Sequence, residues 1–131
     1  MAPALFSAYA QAKTVMIDGD HDVFGDGSVR ILKAPGHTPG SSALLVKLPH
    51  RGAVILSGDL YLTLEGRQEH QVPTVNADRA DTLASMQRIE KMARNLVARV
   101  IVQHDPHEFE RLPKPPAYLD QSYPSSKVVI P

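Results

Sequence analysis

Cysteine is absent from all 131 residues. That excludes disulfide scaffolding, thiolate zinc sites and a cysteine nucleophile, and leaves imidazole and carboxylate as the groups able to hold a metal. It leaves the redox compartment open. An excess of one charge sign is missing too: 14 lysines and arginines match 14 aspartates and glutamates, and no block of like charge occurs. Neither a nucleic-acid backbone nor an anionic membrane is expected as a partner. No apolar run reaches the ~20 residues that cross a bilayer. The first ten residues lack the basic region and long apolar core of a secretory signal.

What the chain has is enough length for one core, within the ~100–200 residues of a single domain. It also has 11 prolines. Several gather in Pro113-Lys114-Pro115-Pro116 and around Pro124 and Pro131, which marks 113–131 as an extended surface tail following a domain over 1–112.

The β-branched run Lys13 to Asp18 predicts a strand, with a turn through His21-Asp22 and Phe24-Gly25-Asp26-Gly27. Val29 to Lys33 predicts a second strand, stopped by Pro35-Gly36. Ser42 to Leu48 and Ala53 to Ser57 are apolar runs joined by Pro49-His50-Arg51-Gly52, which reads as a hairpin, and their near-continuous hydrophobicity implies burial on both faces. Leu60 to Gln71 shows no steady period and reads as loop. Between Asp78 and Val97, the positions Leu83, Met86, Ile89, Ala93, Leu96 and Val97 recur at helical steps, predicting a helix with one buried face and Asn76 or Asp78 as its cap. Arg99 to Gln103 predicts a short strand delivering His104-Asp105-Pro106 into a loop.

Three positions share one setting. His37, Asp59 and His104 each follow an apolar strand, in a turn, where side chains of a sheet protein converge at one edge. Imidazole and carboxylate suit zinc, iron or manganese, and three ligands leave coordination positions open for water, which an open metal site can activate. Each has a plainer reading: His37 as a backbone cap in its Pro-Gly turn, Asp59 as a turn residue, His104 as a surface pair with Asp105. The joint arrangement favours the metal. His21, His50 and His70 read as solvated, and His107 as a poor substitute ligand because Pro106 breaks its helical spacing from His104.

Pro35-Gly36-His37-Thr38-Pro39-Gly40, then Ser57-Gly58-Asp59 after a hairpin, then Gln103-His104-Asp105 after a helix and strand, together resemble the second half of the metallo-β-lactamase-fold hydrolases. The likeness runs from about Val23 to Asp120. Phe24-Gly25-Asp26-Gly27-Ser28, Gly58-Asp59-Leu60-Tyr61, Val72-Pro73-Thr74 and Pro116-Ala117-Tyr118 are similar to the N-acyl homoserine lactonase-like branch. The resemblance implies an α+β fold: half of an αβ/βα sandwich, a mainly antiparallel sheet with a long helix on one face. It also implies a dinuclear centre, zinc or alternatively iron or manganese, in which His37 completes the first metal's set, Asp59 bridges both metals and His104 binds the second. A bridging hydroxide would then attack a lactone or related ester. Tyr61 resembles the tyrosine placed over the metals in such lactonases; its plainer reading is a packed aromatic beside a loop.

Two departures stand out. The family's amino-terminal signature, two histidines one residue apart followed by an aspartate-histidine pair, does not occur here, so the isolated chain is expected to be inactive. Ser41-Ser42 follow Pro39-Gly40 where many relatives have another histidine. The expected partners are a small lactone or ester and either a missing amino-terminal half or a second copy, since Leu44, Val46, Val54 and Leu56 would otherwise meet water. Two rivals stand beside this reading: a non-enzymatic module completed by a partner, and a glyoxalase-II-like thioesterase, which the same ligands would serve. The compartment, bacterial cytoplasm or periplasm, is not legible.

Overall fold

The computed structural model describes residues 8–120. Five strands form one sheet in chain order: β1 (His21–Asp22), β2 (Val29–Lys33), β3 (Ser42–Leu48), β4 (Gly52–Leu56) and β5 (Arg99–Ile101). Neighbours are antiparallel except β4 and β5, which run parallel with Leu56 opposite Ile101. The connection between that pair carries two helices, α1 (Leu64–Gln68) and α2 (Arg79–Leu96), as a parallel crossover requires. After β5 comes α3 (Pro106–Arg111). The expected class, α+β with a mainly antiparallel sheet and one long helix, is the one found.

Burial sorts the sheet into two unlike faces. Leu32, Ala43, Leu45, Ile55 and Val100 face a core completed by Met86, Ile89 and Ala93 of α2, with Leu60 and Tyr61. Burying a side chain such as Met86 or Ile89 contributes roughly 1.5–3 kcal/mol. The opposite face, registered through Val29–Val46, Ile31–Leu44 and Leu44–Leu56, is only half-buried at those residues. Burial on both faces therefore holds for Val54, at 3% exposed, and not for its neighbours Val46 and Leu56, because the single long helix covers one side.

Several boundaries differ from the sequence reading, each for a local reason. Residues 13–18 do not join the sheet. The edge strand beside β2 is instead His21–Asp22, whose register sets His21 opposite Ile31, and the Asp20 carboxylate takes the Lys33 amide next to it. Helix α2 begins at its Asp78 cap, whose carboxylate accepts from the Asp81 amide, and stops at Val97 in a left-handed conformation. Its buried row is Thr82, Ser85, Met86, Ile89 and Ala93. Leu83 and Leu96 lie at the margin of that row and Val97, 90% exposed, lies off it, since three- and four-residue steps from Met86 lead to 82, 89 and 93. The stretch read as loop after Asp59 holds a 3-10 turn, Gly58–Leu60, and α1, whose Thr63 hydroxyl accepts from Gly66. Past β5, Asp105 caps α3 and Pro106 opens it, where a proline's missing amide costs nothing.

Residues 113–120 lie against the β3–β4 hairpin: the Asp120 carboxylate accepts from the amides of His50 and Arg51 and meets the His50 ring nitrogen Nδ1 at 3.2 Å. His50, read as simply solvated, is thus an anchor point. The remainder of the proline-rich tail, 121–131, lies outside the described residues.

Candidate metal centre

The turn bearing His37 is built around a glycine that admits no side chain. A Cβ on Gly36 would stand 2.1 Å from the Thr82 hydroxyl oxygen and 2.5 Å from the Thr82 Cα. The first turn of α2 therefore sits directly on the loop. Gly36 also adopts φ +136°, a conformation glycine adopts freely. Its carbonyl accepts from Ala77 and Asp78, and Ser85 donates its hydroxyl to the Pro35 carbonyl at 2.7 Å. Helix α2 thus fixes both the core and the position of His37.

Asp59 is held from two sides. Gly58, at φ +56°, packs so close to β3 that a Cβ would lie 2.7 Å from the Ser42 carbonyl oxygen. Its amide donates to the Gln103 side-chain oxygen at 2.7 Å, and the Ser57 amide donates to the Ile101 carbonyl. The residues flanking His104 perform complementary tasks. Gln103 reaches back to the Asp59 turn, while the buried Asp105 accepts from the amides of Leu64, His107 and Glu108. Those backbone donors, Leu64 first, hold the Asp105 carboxyl below the usual carboxylate range.

The three residues singled out from the sequence meet at this rim. His104 Nε2 lies 2.7 Å from Asp59 Oδ1, and His37 Nε2 lies 3.7 Å from Asp59 Oδ2. His37 Nδ1 is buried without a hydrogen-bond partner among the described residues, and such an orphan costs about 1–3 kcal/mol. Two imidazoles on opposite oxygens of one carboxylate form a donor set of the kind borderline divalent cations take. The set is incomplete: among the described residues, no three histidine, cysteine, aspartate or glutamate side chains are already arranged to hold a metal ion. The residues fit a cation in chemistry and in shared location, as part of a coordination shell.

Tyr61 is not at the rim. It is 1% exposed within the core, and its hydroxyl donates to Glu90 of α2 at 3.1 Å. Arg67 donates twice to the same carboxylate, at 2.7 and 3.1 Å, with its guanidinium 6.0 Å from the Tyr61 ring centroid. Burial, then the Glu90 charge, pushes the Tyr61 phenol well up, and the Arg67 bonds lower Glu90. Nor does His107 join the site; its ring faces Glu110 at 3.9 Å. Sequence reasoning missed Gln103 and Asp105 as the residues that brace the rim. The Asp105-Pro106 pair, a cap followed by proline at the first helical position, was the available signal for the second; for Gln103 nothing in the sequence distinguished it.

No family model matches the chain. Among curated proteins it is 35% identical over 104 residues to the N-acyl homoserine lactonase AttM of Azorhizobium caulinodans, covering 79% of this chain and 40% of that protein. It is 33% identical over 90 residues to an N-acyl homoserine lactonase of a Bacillus species, covering 69% and 35%. The chain thus spans well under half the length of these relatives. Among solved structures it is similar to an N-acyl homoserine lactone hydrolase with the product N-hexanoyl-L-homoserine bound at its catalytic metal centre, with TM-score 0.71 and 27% identity over 79% of this chain and 40% of that one. A probable metal-dependent hydrolase from Staphylococcus aureus, at TM-score 0.59 and 11% identity, shares the fold.

Proposed function

We propose that this chain, which by sequence and fold corresponds to the carboxyl-terminal part of the metallo-β-lactamase-fold hydrolases of the N-acyl homoserine lactonase branch, contributes the ligands His37, Asp59 and His104 to a lactone-hydrolysing metal centre. The observation that carries the reading is Asp59 in contact with both imidazoles, 2.7 and 3.7 Å away, from three separate strand ends.

The proposed cofactor is zinc, in one or two ions. A bound divalent cation of this kind lowers the pKa of its water from ~15.7 toward ~7 and polarises a carbonyl oxygen. The roles of the chain's own residues follow from their settings. Asp59 offers one oxygen to each side of the rim, so it can serve two cations or hold the two imidazoles in register. His37 is the better fixed of the two rings, with 20% of its side chain exposed against 54% for His104. The exposed side of His104 leaves room for a substrate carbonyl. Tyr61 acts through packing, holding the turn that carries Asp59 against α2 by way of Glu90.

Three ligands do not fill a dinuclear shell, so turnover requires further donors of the paired-histidine type. The test is a lactonase assay on N-hexanoyl homoserine lactone with zinc. The full chain alone should show little turnover, and co-expression with a polypeptide carrying the paired-histidine stretch of a relative should raise it. Asp59→Asn should abolish that gain. A gain that survives Asp59→Asn would overturn the assignment.

A further inference from the structure

At the opposite end of β4 and β5 from the metal rim, a cavity of about 450 Å³ opens between α3, the β3–β4 hairpin tip and residues 113–120. Val54 and Arg99, paired across β4 and β5, form its floor, and Ile55 and Leu56 of β4 then Ser57 and Gly58 separate that floor from Asp59. Three guanidinium side chains line it: Arg51 from the hairpin tip, Arg99 from the start of β5 and Arg111 from the end of α3. Val54, Tyr118 and Leu119 supply apolar wall.

We propose that this cavity binds a small organic anion with an apolar part, a carboxylate or a phosphate monoester, against Arg51 and Arg111. Arg99 is already spent on Glu108, a buried carboxylate. Arg51 and Arg111 make no ion pair among the described residues, so two positive charges face one cavity unopposed by that carboxylate. Asp120, at the hairpin tip, is engaged by the backbone amides of His50 and Arg51. That engagement fixes the hairpin tip, and so the base of the Arg51 side chain, beside Tyr118 and Leu119. A guanidinium offers a planar fork of donors suited to carboxylate and phosphate. The apolar wall, with Val54 only 3% exposed at its base, suits the hydrophobic remainder of such a ligand.

The experiment titrates the full chain with octanoate and, separately, with phenyl phosphate, following binding by heteronuclear NMR, with octanol as the uncharged control. Saturable binding of at least one anion is expected, with shifts at Val54 and Tyr118 and none from octanol. Whichever anion binds identifies the head group. Removing one charge-assisted hydrogen bond weakens binding roughly ten-fold, so Arg51→Gln with Arg111→Gln should reduce affinity at least that much, while Arg79→Gln on the exposed start of α2 leaves it unchanged. No saturable binding of either anion up to about 10 mM, or equal affinity in the double variant, would overturn the proposal.

Discussion

His104 Nε2 stands 2.7 Å from Asp59 Oδ1 at a sequence separation of 45. The contact is a consequence of register. β4 and β5 are parallel and in step, Leu56 beside Ile101, so the residues just beyond the two strands emerge side by side. Gln103 then ties its own strand end to Gly58. A parallel pair with an intervening helix thus brings two distant side chains to one point at the carboxyl edge of the sheet, the place where open sheets build their sites.

Gly36→Ala should be among the most disruptive small changes in the chain. The new methyl would collide with backbone atoms of Thr82, 2.5 Å away, at a residue with φ +136°. Overpacking and a strained dihedral together cost roughly 2–5 kcal/mol. Urea denaturation should show that loss, and a variant within about 0.5 kcal/mol of wild type, the scatter of a neutral surface change, would mean α2 does not press on the His37 loop.

Tyr61→Phe should cost about 1 kcal/mol at neutral pH, one buried hydrogen bond, and should also flatten the alkaline limb of the stability curve. The sign follows from the raised phenol: folding favours the protonated form, so the contribution is whole below the ordinary tyrosine value of 10.0 and is lost as pH climbs above it toward the folded value. The Glu90 carboxyl, held low by Arg67, acts in the other direction. Its contribution is present above its ordinary 4.5 and is lost as pH falls below that toward its lowered folded value. Chemical denaturation between about pH 7 and pH 11, a range that brackets the ordinary tyrosine value, should separate wild type from Tyr61→Phe at its neutral end and bring them together at its alkaline end.

Gln103→Ala removes the acceptor for the Gly58 amide at a partly exposed site. Global stability should fall by no more than about 1 kcal/mol. Zinc affinity should fall about ten-fold, the lower end of what loss of a supporting hydrogen bond costs a metal site. Calorimetric zinc titration read beside a thermal melt distinguishes this from general unfolding, and an unchanged zinc affinity would show that Gln103 does not brace the Asp59 turn.

Leu44, Val46 and Leu56 share a half-covered sheet face. Apolar patches of that kind favour association, so the chain should self-associate at high concentration. Val46→Lys should shift it toward monomer in light scattering. A monodisperse wild-type monomer at high concentration would speak against the face being adhesive.

Much of this was legible in the sequence because the signals were local. Val29 to Lys33, Ser42 to Leu48 and Ala53 to Ser57 are apolar stretches bounded by proline and glycine, and the first two strands fall where expected while the third, Gly52–Leu56, begins and ends one residue earlier. The period through Met86, Ile89 and Ala93 located α2. Convergence of His37, Asp59 and His104 could be anticipated because each follows a strand. What stayed hidden depended on tertiary partners. Tyr61 looks the same in sequence whether it lines a site or packs a core, and only Glu90, 29 residues on, decides where its hydroxyl points. The Lys13 to Asp18 run has strand composition, yet the edge of β2 is taken by His21–Asp22. Pro106 reads as a breaker until Asp105 is seen capping the helix it opens.

On the proposed reading, His37, Asp59 and His104 share a cation. Isothermal titration of the full chain with zinc, repeated for His37→Ala, Asp59→Asn and His104→Ala, tests it most directly. Saturable binding by the wild-type chain is expected, weakened at least about ten-fold in each variant, since each loses one proposed ligand. Zinc binding that all three substitutions leave intact would contradict it.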